Sequence, residues 1–135
     1  GMSNGNGDTY VAYCFSEVAG YSKFGSYGTN GVSGNGPFIY LGFRPAFFMH
    51  KRTDDGSSNS NWRIWDTARV TINPVNIMLQ PDNNSVDYES NNVAMDFVSN
   101  GVKVRATDTG NNVPNGGNFI YFAFAESPFK YSRAR

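Results

Sequence analysis

His50 is the only histidine of the chain and Cys14 its only cysteine. Any Ser/His/Asp or Cys/His nucleophilic set would have to be built on one of them. No G-x-S-x-G turn frames a serine, and Cys14 lies inside an apolar run rather than at a helix start. Its sequence setting is that of a small buried apolar side chain. Strand alternation puts Ala46, Phe48 and His50 on one face and Phe47 and Met49 on the other, with His50 at a partly exposed strand end. One histidine and one cysteine do not make a zinc ligand set. Asp54-Asp55-Gly56, and Asp82 with Asp87 and Glu89, offer hard oxygen atoms for calcium, but neither follows the D-x-D-x-D-G spacing. They read as solvated acidic turns. A glycosidic cleft needs two carboxyl groups facing each other across a few ångströms. Asp66 and Asp96 are the strand acids that could supply them, yet Asp96 has Arg105 for a partner and Asp66 has Arg69 or Arg63. The residues therefore predict no catalytic group, no metal site and no cofactor.

Aromatic side chains are the better functional lead. Sugar rings stack on Trp or Tyr while Asn, Asp and Arg take the hydroxyls. Trp62, Tyr27, Tyr40 and Tyr88 with Arg63 are the candidate ligand-binding residues; packing in the core or between modules competes for the same side chains. Lys51-Arg52 stands beside an acidic turn and suits a surface salt link. The Gly/Asn loop over residues 28–36 lacks the Gly-Lys-Ser/Thr and the helix of a phosphate cradle.

The elements that must position these groups begin with a repetition. Gly7-Asp8-Thr9-Tyr10-Val11-Ala12-Tyr13-Cys14-Phe15-Ser16-Glu17 reads like Gly116-Gly117-Asn118-Phe119-Ile120-Tyr121-Phe122-Ala123-Phe124-Ala125-Glu126, at a constant offset of 109 positions. A fixed offset marks a repeated structural unit. The reading that follows is a Gly-rich leader plus the closing strand of a preceding repeat over residues 1–18, one β module over 19–127 and a tail over 128–135. Neighbouring repeats are then the expected partners, with a homo-oligomer as a further possibility. Glu17 and Glu126 end the repeated strand and should hold an adjacent backbone group or an arginine. Gly1 ahead of Met2 reads as the remnant of a cleaved tag.

Eleven Lys+Arg balance eleven Asp+Glu, so no basic field exists to draw in nucleic acid or an anionic membrane. No apolar run reaches the ~18 residues that span a bilayer. Charged residues are only 16 % and aromatics as many, a mixture of uncharged polar loops and aromatic strands that suits an all-β extracellular or virion protein. Glycine and proline interrupt the chain too often for long helices. Strand patterns fall at 10–17, 21–27, 38–41, 46–52, 61–66, 75–79, 93–99, 102–107 and 119–125. About nine strands predict a two-layer antiparallel β-sandwich, jelly-roll or lectin-like in kind. The first and last are apolar on both faces and should be central and covered on both sides. Pro74 keeps residues 69–74 irregular. Asn100-Gly101 should turn a hairpin in which Phe97 faces Val104, Val98 faces Lys103 and Asp96 faces Arg105.

Several runs carry a resemblance. They are Gly7 through Phe15, Glu17-Val18-Ala19-Gly20-Tyr21-Ser22-Lys23-Phe24-Gly25-Ser26-Tyr27, and Gly36-Pro37-Phe38-Ile39-Tyr40-Leu41-Gly42-Phe43-Arg44-Pro45-Ala46. Lys51-Arg52-Thr53-Asp54, Asn61-Trp62 with Trp65-Asp66-Thr67, Asp96-Phe97 with Ser99-Asn100-Gly101, and Tyr121 with Ala123-Phe124-Ala125-Glu126 extend it. Together they resemble an uncharacterised repeat domain of tailed-phage virion proteins, notably of marine phages. The chain departs from that pattern at His50, where an aliphatic residue is usual, and around residues 69–79. The resemblance implies a non-catalytic tandem module of a phage tail or appendage, working outside the cell, and transfers no catalytic residue. A carbohydrate-binding module touching host-surface glycan is the alternative.

Overall fold

The computed structural model describes residues 5–55, 60–114 and 116–127. They form nine strands: β1 (Ser22–Gly28), β2 (Phe38–Tyr40), β3 (Pro45–Arg52), β4 (Arg63–Asp66), β5 (Ile77–Met78), β6 (Tyr88–Glu89), β7 (Met95–Val98), β8 (Gly101–Val104) and β9 (Asn118–Ala125). A 3-10 turn, Asn91–Val93, precedes β7, with the Ser90 hydroxyl accepting from the Asn92 amide at its start. Gly1, Met2, residues 56–59 of the second polar loop and the expected tail at 128–135 lie outside the described residues.

The larger sheet runs β1-β9-β3-β4 and the smaller β2-β8-β7, every pair antiparallel; β5 and β6 form a short hairpin. Bridges Ile64–Leu79 and Val75–Met95 fasten the segment around β5 to the β4 edge of one sheet and the β7 edge of the other. The result is the expected two-layer sandwich. Phe48, Trp65, Tyr121 and Ala123 face inward from the larger sheet and meet Ile39, Met95, Phe97, Val102 and Val104 of the smaller, all buried. Trp65 satisfies its indole N–H across the layers by donating to the Val93 carbonyl at 3.0 Å. Burial of side chains of this size stabilises the fold by about 1.5–3 kcal/mol each before the entropy cost.

Alternation places β9 as expected. Phe119, Tyr121 and Ala123 are buried in the core, and Ile120, Phe122 and Phe124 are half-buried on the outer face. It is an interior strand of the larger sheet, paired with β1 on one side and β3 on the other. The repeated segment does not follow it. Residues 10–17 are not a strand and are exposed, Tyr13 to 83 % and Val11 to 79 %. Cys14 is exposed with them rather than buried. The position that the segment's sequence suits, between β1 and β3, is occupied by β9. A turn fixed by Val18–Ser22 backbone bonds sends this N-terminal arm back over the outer face of the larger sheet. The count of nine is kept by β6, which falls in a stretch the sequence marks as a polar loop.

The β7–β8 hairpin is shifted in register from the expected one, with Ser99-Asn100 rather than Asn100-Gly101 at its turn. Phe97 faces Val102, Asp96 faces Lys103 and Val98 faces Gly101. The two-residue difference in register keeps every side chain on its face. The Asp96–Arg105 ion pair forms at 2.6 Å across the diagonal. Gly101 is therefore a strand residue, absent from the glycines with positive φ, and its role is to leave space. A Cβ there would drive into the Ile39 carbonyl oxygen and stand 2.9 and 3.0 Å from the Phe38 ring. Gly101→Ala should cost roughly 1–3 kcal/mol of stability, read as a lower urea midpoint with an unchanged slope.

Candidate functional site

Strand alternation carries three polar side chains into the same end of the core: Tyr27 from β1, His50 from β3 and Arg63 from β4. The loop between β8 and β9 closes over them with Asp108, Gly110 and Asn111. His50 is fully buried, not partly exposed at a strand end as its position implies. Its Nδ1 lies 2.6 Å from the Tyr27 hydroxyl and its Nε2 3.0 Å from Asn111 Oδ1. Asn111 Nδ2 donates to Asp108 Oδ1 at 2.6 Å, and Arg63 Nη1 donates to Asp108 Oδ2 at 3.2 Å. An amide oxygen only accepts, so Nε2 carries the imidazole proton, Nδ1 accepts, and Tyr27 donates. Trp65 meets the imidazole edge-on at 4.9 Å and Phe119 lies 4.8 Å away. Phe119 in turn stacks on Tyr27 at 5.3 Å.

The electrostatics follow from the enclosure. Burial above all, then the positive charge of Arg63, pushes the His50 pKa from 6.5 down to about 3, against the opposing Asn111 hydrogen bond. Burial lifts the Tyr27 hydroxyl above its ordinary value, with Arg63 pulling the other way. Both groups stay neutral near pH 7. Arg63 lies against the Gly110 backbone, where a Cβ would collide with the guanidinium, and its Nε has no hydrogen-bond partner among the described residues. A general base must reach the proton it removes. The His50 ring is sealed with both nitrogens bonded, so its place in the structure is to tie three strands to one loop. Next to it, Asn112 and Thr29 fasten the 28–37 loop to the 105–117 loop. Asn112 Oδ1 accepts from the Gly31 amide at 3.0 Å, and Thr29 Oγ1 accepts from the Gly117 amide at 2.9 Å.

The five candidate ligand residues divide among different surfaces. Tyr27 belongs to the His50 network. Trp62 lies on the opposite side of the larger sheet, 5.4 Å from the Phe122 ring, with Lys51 Nζ 5.8 Å above it. Lys51, Arg52, Thr53, Asp55, Ser60 and Trp62 line an open cleft of about 590 Å³ there. Tyr40 is exposed on β2, beneath Lys23 Nζ at 5.6 Å. Tyr88 and Arg63 do come together. With Gln80, Ser85, Val86 and Asp108 they line a cleft of about 380 Å³ beside the β5–β6 hairpin.

The acids are engaged. Arg52 holds Asp54 at 2.6 Å and Asp55 at 2.8 Å, the salt link expected beside Lys51-Arg52. Asp82 accepts from the Trp62 amide, Asp87 pairs with Arg69 at 3.0 Å, and Asp66 pairs with Arg69 as well. Glu17 accepts from the Phe24 amide at 3.1 Å and Glu126 lies 3.0 Å from Arg44 Nε, as expected of strand-end acids. No group of three His, Cys, Asp or Glu able to hold a metal ion stands among the described residues. Nor is any helix among them long and apolar enough to cross a membrane.

The model of a family described as "Domain of unknown function (DUF7483)" matches residues 1–128, and the chain belongs to that family. The matched span takes in the N-terminal arm together with the sandwich. No curated protein and no solved structure matches the chain.

The buried imidazole gives stability a pH dependence. As pH falls, the unfolded chain takes its proton near 6.5 while the folded chain resists until about 3. The contribution of His50 is complete above that upper value and is lost progressively toward the lower one, by at most about 1.4 kcal/mol per pH unit. Urea unfolding from about pH 7 to about pH 5, above most carboxylate titrations, should show a steeper loss for the wild type than for His50→Gln.

Proposed function

We propose that this chain is a non-catalytic structural and interaction module of a phage virion tail or appendage protein, used in series. The observation that carries the reading is the internal copy. The segment at 10–17 resembles β9 in its pattern of residues and lies on the same sheet's outer face, with Phe15 5.9 Å from Phe24 and 6.0 Å from Phe124. A unit that carries its neighbour's strand sequence is suited to a string of like units. The order and coverage of the resembling motifs supply the setting. The sealed His50 and the acids held by arginines or backbone amides supply the contrast with an enzyme, because these groups are committed to holding the fold. Antibody raised against the module should decorate the tail or appendage of particles from the phage encoding it. Particles free of the polypeptide, by labelling and by mass spectrometry, would overturn the proposal.

A second reading, glycan binding, is favoured by one cleft. Tyr88 is half exposed as a stacking platform and stands with Arg63, Asp108, Gln80 and Ser85, donors and acceptors of the type that take sugar hydroxyls. Trp62, the strongest candidate by residue type, stands apart from them. On a glycan array the wild type should then bind a defined set of sugars, and Tyr88→Ala should lose at least about tenfold in affinity while Trp62→Ala keeps it. An array without signal disposes of this reading.

A further inference from the structure

The outer face of the larger sheet is aromatic where a solvated face would be polar. Ile120, Phe122 and Phe124 of β9 run between Phe24 of β1 and Phe47 and Met49 of β3, each half-buried. Their rings touch: Phe24 lies 5.6 Å from Phe122, and Phe47 lies 5.9 Å from Phe124. The two charged residues on this face are already engaged. Lys51 donates to the Ser60 carbonyl, and Asp66 takes Arg69 and two backbone amides. Covering the face therefore strands no charge, and a contiguous apolar face of this kind suits an interaction site.

The arm shows what fits there. At the offset of 109, Val11, Tyr13 and Phe15 are the counterparts of Ile120, Phe122 and Phe124, the outward side chains of β9. Residues two apart share one side of an extended chain. Tyr13 and Phe15 line one apolar groove of about 400 Å³ with Phe47, Met49, Phe122 and Phe124. Phe15 thus packs on Phe124, its own counterpart. The outward edge of a β9-type sequence is complementary to the outward face of β9 itself, which is the requirement of a self-complementary interface. The arm covers the face only thinly, since Phe15 is 62 % exposed and Tyr13 more so.

We infer that the outer face of the larger sheet pairs with the same face of a second copy of this module, β9 over β9, and that the arm competes for that face. The inference rests on the reading of the chain as a module used in series, and names the partner. Four strands about 4.8 Å apart, with eight residues in the longest, give a face of roughly 27 by 19 Å. That is below the ~800 Å² per partner of a standard interface, so two free copies associate weakly. Modules joined in one polypeptide meet at roughly millimolar effective concentration, where a weak contact is occupied.

Sedimentation velocity on the full chain, from low to high micromolar concentration, tests this. The wild type should shift toward a dimer as concentration rises. Phe15→Ser loosens the arm and should tighten the dimer at least about fivefold, whereas Met49→Glu should weaken it at least about tenfold. Ile64→Lys, on the same face of β4, replaces Met49→Glu if the latter melts early. Tyr40→Ser, on the outer side of the smaller sheet, should change nothing. Wild type and Phe15→Ser both monomeric at the highest concentration would overturn the inference, as would a dimer indifferent to Met49→Glu and Ile64→Lys. A monomer found together with labelled virions would defeat the pairing and leave the proposed function standing.

Discussion

Strand β9 is apolar on both sides, and a strand of that kind requires protein on both sides. Its inner row, Phe119, Tyr121 and Ala123, meets the requirement in the core. Tyr121 stacks on Phe48 at 5.8 Å, and Phe48 in turn reaches Trp65. Its outer row meets the requirement only through neighbours on the same sheet and the thin cover of the arm. The sandwich is therefore satisfied inside and underfilled outside. The order β1-β9-β3-β4 follows from the same constraint, because the most apolar strand takes an interior position with a partner on each flank.

The second determinant is the polar end of the core. Burying a histidine, a tyrosine hydroxyl and an arginine is costly unless each finds a partner. Here the partners form one directed chain, from Tyr27 through His50 and Asn111 to Asp108, with Arg63 neutralising the acid. The direction of every hydrogen bond is fixed by the amide oxygen of Asn111, so the network has one arrangement and one imidazole tautomer. That gives the 105–117 loop a defined seat, and through Thr29 and Asn112 the 28–37 loop as well. Two loops built largely of glycine, asparagine and serine would otherwise have little to hold them. The network is thus a device for order, and it places the aromatic faces of the sheet at fixed positions.

Periodicity revealed most strands, because alternation is a local property of the chain. The pairs Ile64/Asp66 and Arg63/Trp65 took opposite faces as their spacing implies, and so did Phe48/His50 and Phe47/Met49. What local patterns cannot carry is the closing of distant segments over one another. His50 at the end of an apolar strand reads as exposed, and only the loop holding Asn111, 61 residues away, buries it. No spacing in Asp108-Thr109-Gly110-Asn111-Asn112 announces that role. Strand β6 was hidden for a different reason: two exposed residues, Tyr88 and Glu89, owe their pairing to β5 and not to any pattern of their own. The hairpin turn was legible as a turn but not in register, because Asn100-Gly101 admits more than one alignment and the crowding of Gly101 by Phe38 and Ile39 selects between them.

The arm shows the sharpest limit of sequence pattern. Two segments related by a constant offset share alternation, apolarity and a terminal glutamate, yet one is an interior strand and the other is not a strand. Strand preference expresses the surroundings of a residue more than the residue itself. Between β1 and β3 there is room for one strand, and β9 holds it with a neighbour bonded on either side. To become such a strand the arm needs a bonded neighbour on either side, and this sheet gives that place between β1 and β3 to β9. Its apolar side has one complementary surface within reach, the outward row of its own counterpart, where Phe15 meets Phe124. The same residues that make β9 the centre of one sheet make the arm a ligand for the outside of it.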